Sequence, residues 1–292
     1  MGRIRKLTRL AGLAFAISLA PFSLTAQAQT SRSETASSYR ARGLDWMAKG
    51  RPDLALADFE IAITFDPKSA MSFYCRGVVL FDKGELDRAS ADFNKAIELN
   101  PNFREAFYNR GLIRQKRGDL QGALDDYSRA ITLGPRLKKV WNNRGNVRKA
   151  LGDPSGAVAD FDKAIELDPN FAAAYNNRGN AKKSKGDLAG AMSDYTRAIQ
   201  IDPAYAVAFF NRGLVRQSQG DPDGALSDFD RSIEITPDLA EPYFYRGQLL
   251  LCRKNPSKAA RDFNHFLALS HGSKPLLESR VKELMDQMMV KY

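Results

Sequence analysis

The chain has 292 residues, with 44 Lys and Arg against 34 Asp and Glu, a formal net charge of +10. Its two cysteines and two histidines are too few for a disulfide framework or a multi-ligand zinc site. A phosphate-binding glycine loop, CxxC, HExxH and GxSxG are all absent, which removes the motifs of the commonest nucleotide, redox, metalloprotease and hydrolase chemistries.

In chain order, basic Arg3, Arg5, Lys6 and Arg9 precede an apolar stretch from Leu10 to Ala20, then Ala26-Gln27-Ala28. This order reads as a secretory signal peptide over residues 1–28, cut after Ala28. Pro21 interrupts the apolar stretch before it is long enough to span a bilayer comfortably. With no cysteine at the cut and no twin-arginine pair, the expected route is bacterial Sec export to the periplasm, without stable membrane insertion once the signal is removed. Removing the four basic residues leaves 40 basic to 34 acidic, or +6. That charge suits acidic partners or anionic surfaces, while nucleic acid is not an expected partner after export. Residues 29–35 form a short polar lead without periodicity.

From Ala36 one period of 34 runs to Ser273. Prolines stand at Pro67, Pro101, Pro135, Pro169, Pro203 and Pro237; glycines run from Gly43 and Gly77 through Gly145 to Gly247, and alanines from Ala55 through Ala157 to Ala259. An aromatic opens every unit, Trp141 in the fourth, and another follows in its second half, there Phe161. The word NNRGN recurs at Asn142 to Asn146 and Asn176 to Asn180. Ala157, Phe161, Ala164 and Ile165 mark one helix face. Asp153-Pro154 and Asp221-Pro222 read as a cap with a first-turn proline, and Gly152 as a left-handed helix end. Small Gly145 and Ala157 allow the paired helices to approach closely. One pair buries too little apolar surface alone, so the seven units (36–69, 70–103, 104–137, 138–171, 172–205, 206–239, 240–273) must stack.

The seventh unit departs from the pattern: Lys254 stands for the turn glycine, Phe266 for a small alanine and His271 for the proline. Residues 274–292 then carry an amphipathic stripe of Leu277, Val281, Leu284, Met285 and Met288, expected as a helix capping the stack.

These spacings resemble the tetratricopeptide repeat, a helix-turn-helix unit, over nearly all of the chain after residue 35. The resemblance implies an all-α fold, a right-handed superhelical solenoid of helix pairs whose first helices line a concave groove.

Numbering each unit 1 to 34, positions 4, 8 and 11 of the first helix face its partner helix, 3, 10 and 14 the neighbouring unit, and 2, 5, 6, 9, 12 and 13 the opposite side. Position 7 is arginine and position 23 aspartate in all seven units. Arg110 with Asp126, Arg144 with Asp160 and Arg178 with Asp194 are expected to be structural pairs, within a unit or across the seam, that keep the stack in register. Position 11 carries Arg114, Arg148, Lys182 and Arg216, expected to lay their stems along the packing surface.

Position 6 carries Asn109, Asn143, Asn177 and Asn211. Asn142, Asn146, Asn176 and Asn180 widen them into an amide-rich centre, with Lys139, Lys149 and Lys183 adding charge. Tyr74 and Tyr108 flank it on one side, Phe210 and Phe244 on the other. Amides offer donors and an acceptor that grip a peptide backbone whatever its side chains, and aromatics offer anchor contacts. The layout resembles the asparagine ladder in the repeat domain of O-GlcNAc transferases, which holds extended polypeptides. It departs from the carboxylate clamp of chaperone-binding members, since position 5 is lysine in no unit.

His265 and His271, six apart, fall on different helix sides and make no metal pair; no cofactor is expected. The nineteen residues that follow the last unit are not expected to hold a transferase domain. The expected protein is a non-enzymatic periplasmic scaffold or adaptor binding an extended segment of another protein. The alternative is a carrier or sensor of a small anionic or glycan ligand in the same groove. Cys75 and Cys252, five units apart, are expected as free thiols.

Overall fold

The computed structural model describes the backbone of residues 20–291 and the side chains of 29–288. Two compact bodies divide the chain after Pro135. The first contains α1 (Ala20–Ala48), α2 (Pro52–Phe65), α3 (Ala70–Asp82), α4 (Leu86–Leu99), α5 (Arg104–Lys116) and α6 (Leu120–Leu133). The second contains α7 (Lys138–Ala150), α8 (Pro154–Leu167), α9 (Ala172–Ser184), α10 (Leu188–Ile201), α11 (Ala206–Ser218), α12 (Pro222–Ile235), α13 (Ala240–Cys252), α14 (Pro256–Ser270) and α15 (Pro275–Lys291). Among the described residues there is no strand.

The repeat chemistry sets the helix ends. Between the paired helices, Gly152 has φ 84°, a conformation open to glycine because it lacks a Cβ. Asp153 then accepts a hydrogen bond from the Gly156 N–H at 2.8 Å, capping α8, with Pro154 in its first turn where no N–H is needed. After α8, Asp168 accepts from the Asn170 N–H at 3.0 Å, an Asx turn that redirects the chain into α9. Lys254 adopts the same left-handed backbone as the glycines it replaces, with φ 59°.

Within a pair, the glycine at position 8 lies against the ring at position 24. A Cβ on Gly145 would sit 2.7 Å from Phe161, whose ring is completely buried. Val140 and Val147, at positions 3 and 10, are buried as expected of the inter-repeat face. At the end of the second body Val281 and Leu284 of α15 close over Phe263 and Phe266, with Leu277, Met285 and Met288 beside them. Phe266 replaces an alanine because here its neighbour is the capping helix instead of another repeat.

The N-terminal expectation needs one correction. Residues 1–19 of the expected signal peptide lie outside the described residues, but the lead at 29–35 is not irregular: it is part of α1, which continues into the first repeat. After Pro21 no glycine or proline interrupts the chain before Gly43. The lead's side chains are mostly exposed, and its hydroxyls bond back onto the helix, as Thr35 does to the Ser31 carbonyl at 2.9 Å.

Candidate interaction surface

The seven arginines at position 7 each reach the position-23 aspartate of their own repeat through two hydrogen bonds. Nε to Oδ2 measures 2.7–3.0 Å and Nη2 to Oδ1 2.6–2.7 Å. This is the bidentate fork geometry of a strong guanidinium–carboxylate pair. At Arg110, Arg178 and Arg246 the remaining arm crosses the seam to the preceding repeat, donating to Asn94 at 2.7 Å, Asp162 at 2.6 Å and Asp230 at 2.7 Å respectively. The expected pairs thus form within each repeat, and at these three positions the same guanidinium also bonds across the seam. Burial works against the Arg178 charge, yet its hydrogen bonds to Asp194 and Asp162 raise its pKa.

The position-11 cations also have a sharper role than packing stems. Arg114, Arg148, Lys182 and Arg216 each place a nitrogen 2.9 Å from the aspartate of their repeat, so Asp126, Asp160, Asp194 and Asp228 each hold two cations. The recurrence of a base at position 11 in four repeats was visible in the sequence, but the acid it shares with position 7 was not. In the first repeat Trp46 takes that place. The Arg42 hydrogen bonds, with a smaller contribution from Trp46, hold the Asp58 carboxyl below its ordinary range against the effect of burial.

The asparagines divide into two groups. Asn142, Asn176 and Asn211, expected on the open stripe, are instead buried in the seams between repeats. Asn177 donates to Asn142 at 3.0 Å and Asn211 to Asn176 at 2.9 Å; Asn142 and Asn176 donate weakly to Asn143 and Asn177 at 3.4 Å. A continuous amide relay therefore runs through α7, α9 and α11, and Asn109 makes the equivalent bond to the Tyr74 hydroxyl at 3.2 Å in the first body. Position 6 turns toward the preceding repeat, so its amide is largely committed to stacking. Asn180 accepts the Tyr195 hydroxyl at 2.8 Å, while half-buried Asn146 has no side-chain hydrogen bond among the described residues.

Phe244 also departs from expectation. It is 3% exposed and packs against Phe263 and Phe266 in the terminal core. Phe210 is half-buried against Phe229 and Tyr245, Tyr74 against Phe93 and Phe103, and Tyr108 lies 6.0 Å from the Tyr127 ring. Lys139 is exposed, whereas Lys149 and Lys183 are half-buried.

What remains open on the first-helix face is a different set from the asparagine row. Leu44 and Met71, at positions 9 and 2, are 51% and 45% exposed, with Met47, Val78 and Phe81 half-buried nearby at positions 12, 9 and 12. These apolar groups occupy the same positional stripe, but the repeated amide word drew attention away from them. Among the described residues, no cluster of three His, Cys, Asp or Glu could hold a metal, and no helix is long and apolar enough to cross a membrane. Cys75 is buried and Cys252 exposed, both free.

Helix pairs of fixed length, a glycine-aromatic contact in every pair and cross-seam polar bonds define a helical-repeat interaction scaffold. Family profiles agree: one for the TPR repeat matches residues 77–118, 145–186 and 179–220, and one for the tetratricopeptide repeat matches 105–137. The chain belongs to the tetratricopeptide-repeat family, with the all-α solenoid fold of that family. Among solved structures it is similar to YrrB, described as a TPR protein with an unusual peptide-binding site, at 27% identity over 67% of this chain and 97% of that one, TM-score 0.55. It also resembles a tetratricopeptide repeat protein from Parabacteroides merdae, at 19% identity over 88% and 99% of the two chains, TM-score 0.67. A third likeness is to PilF of Pseudomonas aeruginosa, at 20% identity over 75% and 99%, TM-score 0.65. The last two likenesses concern the fold alone. No curated protein matches the chain.

Proposed function

We propose that this tetratricopeptide protein is a non-enzymatic adaptor, exported by the Sec route to the periplasm, that binds an extended segment of another envelope protein along the first-helix face. The observation that carries the reading is the side-chain set that the first helices of each body leave accessible, exposed and apolar at Leu44 and Met71 in the first, and polar at exposed Lys139 and half-buried Asn146 in the second. Peptide binding by YrrB supports it by likeness. No cofactor enters the proposal, since apolar anchors and amide donors suffice to hold an extended chain.

The commitment of Asn142, Asn176, Asn177 and Asn211 to the seams changes how this is tested. Alanine at Asn177 or Asn211 would remove inter-repeat hydrogen bonds along with any ligand contact. A photo-crosslinking residue at Met71 or Asn146, compared with one at exposed Lys163 beside Glu166, separates the two effects. Discrete adducts from the first-helix positions and none from Lys163 are expected; adducts only at Lys163 would overturn the reading. Cell fractionation with N-terminal sequencing tests the export part, for which a periplasmic chain beginning at Gln29 is expected.

A further inference from the structure

Lys149 and Lys183 occupy position 12 of consecutive repeats in α7 and α9, one helical turn beyond Asn146 and Asn180 on the same face. Five neighbouring cations on the same helices have counter-charges: Arg144 and Arg148 share Asp160, Arg178 and Lys182 share Asp194, and Lys138 holds Asp168. Among the described residues Lys149 and Lys183 pair with no carboxylate, although both are half-withdrawn from water. The acids that follow them, Asp153 and Asp187, are committed to capping α8 and α10 through the Gly156 and Gly190 N–H groups. Burial, and then the charge on Lys149, depress the Lys183 pKa. Two like charges held together without a counter-ion favour whatever anion arrives. Asn146 adds unpaired donors, and Asn180, whose oxygen is occupied by Tyr195, keeps its own N–H groups.

We propose that Lys149 and Lys183, with Asn146 and Asn180, form a subsite for an aspartate or glutamate carboxylate of the bound polypeptide. This rests on the reading that the first-helix face binds an extended chain, and it names the chemistry of one stretch of that chain. A peptide carboxylate fits better than a bare ion because the same stripe continues in the next repeat to the half-buried apolar Phe210 and Leu214. An acidic side chain beside an apolar one on a single extended backbone meets both.

The test compares a labelled peptide repeating Gly-Glu-Ala-Glu with its Gly-Gln-Ala-Gln counterpart by fluorescence anisotropy on the purified protein. The glutamate peptide is expected to bind about tenfold or more tightly than the glutamine peptide. Lys149→Gln with Lys183→Gln should remove that advantage without weakening the glutamine peptide, and Lys163→Gln should change neither. Equal binding of the two peptides, or an advantage that survives the double substitution, overturns the subsite while leaving the groove reading intact. Inorganic phosphate competing as effectively as the glutamate peptide overturns it in favour of a small anionic ligand. Failure of both peptides also overturns it, and the groove reading falls with it only if the Met71 and Asn146 crosslinks are absent too.

Discussion

Replacing Asp160 by alanine tests the polar ladder at its most heavily used point. Asp160 is 1% exposed, and its carboxylate accepts Arg144 Nε at 2.9 Å, Arg144 Nη2 at 2.7 Å and Arg148 Nη1 at 2.9 Å. Its loss takes the carboxylate counter-charge from two guanidinium groups whose side chains are 12% and 29% exposed. Breaking a buried pair costs about 3–5 kcal/mol because an uncompensated charge remains. Arg148 can turn further toward water and adds little, so about 4 kcal/mol is expected for Asp160→Ala. Asp160→Asn keeps an oxygen acceptor without the charge and is expected to cost about 2 kcal/mol. Urea denaturation followed by circular dichroism measures these losses. Hydrogen exchange should accelerate in α7, α8 and the helices directly against them, since repeats depend on their nearest neighbours. A triple variant, Arg144→Met, Arg148→Met and Asp160→Leu, strands no charge and should be less damaging than the single alanine. The reasoning is refuted if Asp160→Ala lies within about 1 kcal/mol of the parent, or if the triple variant is the worse of the two.

Gly145→Ala should lower the melting temperature: the added methyl meets the buried Phe161 ring at 2.7 Å, and overpacking of about 1–3 kcal/mol exceeds the helix-propensity gain of up to about 1 kcal/mol. Lys254→Gly should raise stability by about 1 kcal/mol in the same melts, because φ 59° strains any residue with a Cβ. Lys183→Met should stabilise by about 0.5 kcal/mol by removing a half-buried charge. The sign has a pH signature: the folded state holds the Lys183 proton less tightly than the unfolded chain, so the penalty is full below the depressed pKa and vanishes as pH rises to the ordinary lysine range. The stability gap between Lys183→Met and the parent should therefore close in alkaline melts. Thiol alkylation should label exposed Cys252 in the folded protein, and Cys75 only on unfolding, because burial pushes the Cys75 thiol up to about 11.

The sequence by itself determined the repeat, the helix ends and the pairing of arginine with aspartate. These follow from rules acting within one unit: Asp153 caps the helix it precedes, Gly152 turns where a Cβ is costly, and positions 7 and 23 meet once two helices fold back on each other. Only the tertiary structure decided which polar groups remain available. Asn142 and Asn143 are adjacent and differ by one helical step of about 100°, so periodicity placed both on the outer stripe. In the folded chain Asn142 lies in the seam with Asn177, a partner 35 residues away. Position 11 shows the same limit: Arg148 was legible as a polar residue near a packing face, but its carboxylate lies twelve residues on, in the next helix. Residue type and phase fix the direction of a side chain, whereas burial depends on how closely the neighbouring repeat packs against it. That spacing, set where Ala181 packs against Ala157 and Phe161 and Val215 against Ala191 and Tyr195, converted part of an expected ligand-binding row into bonds between repeats.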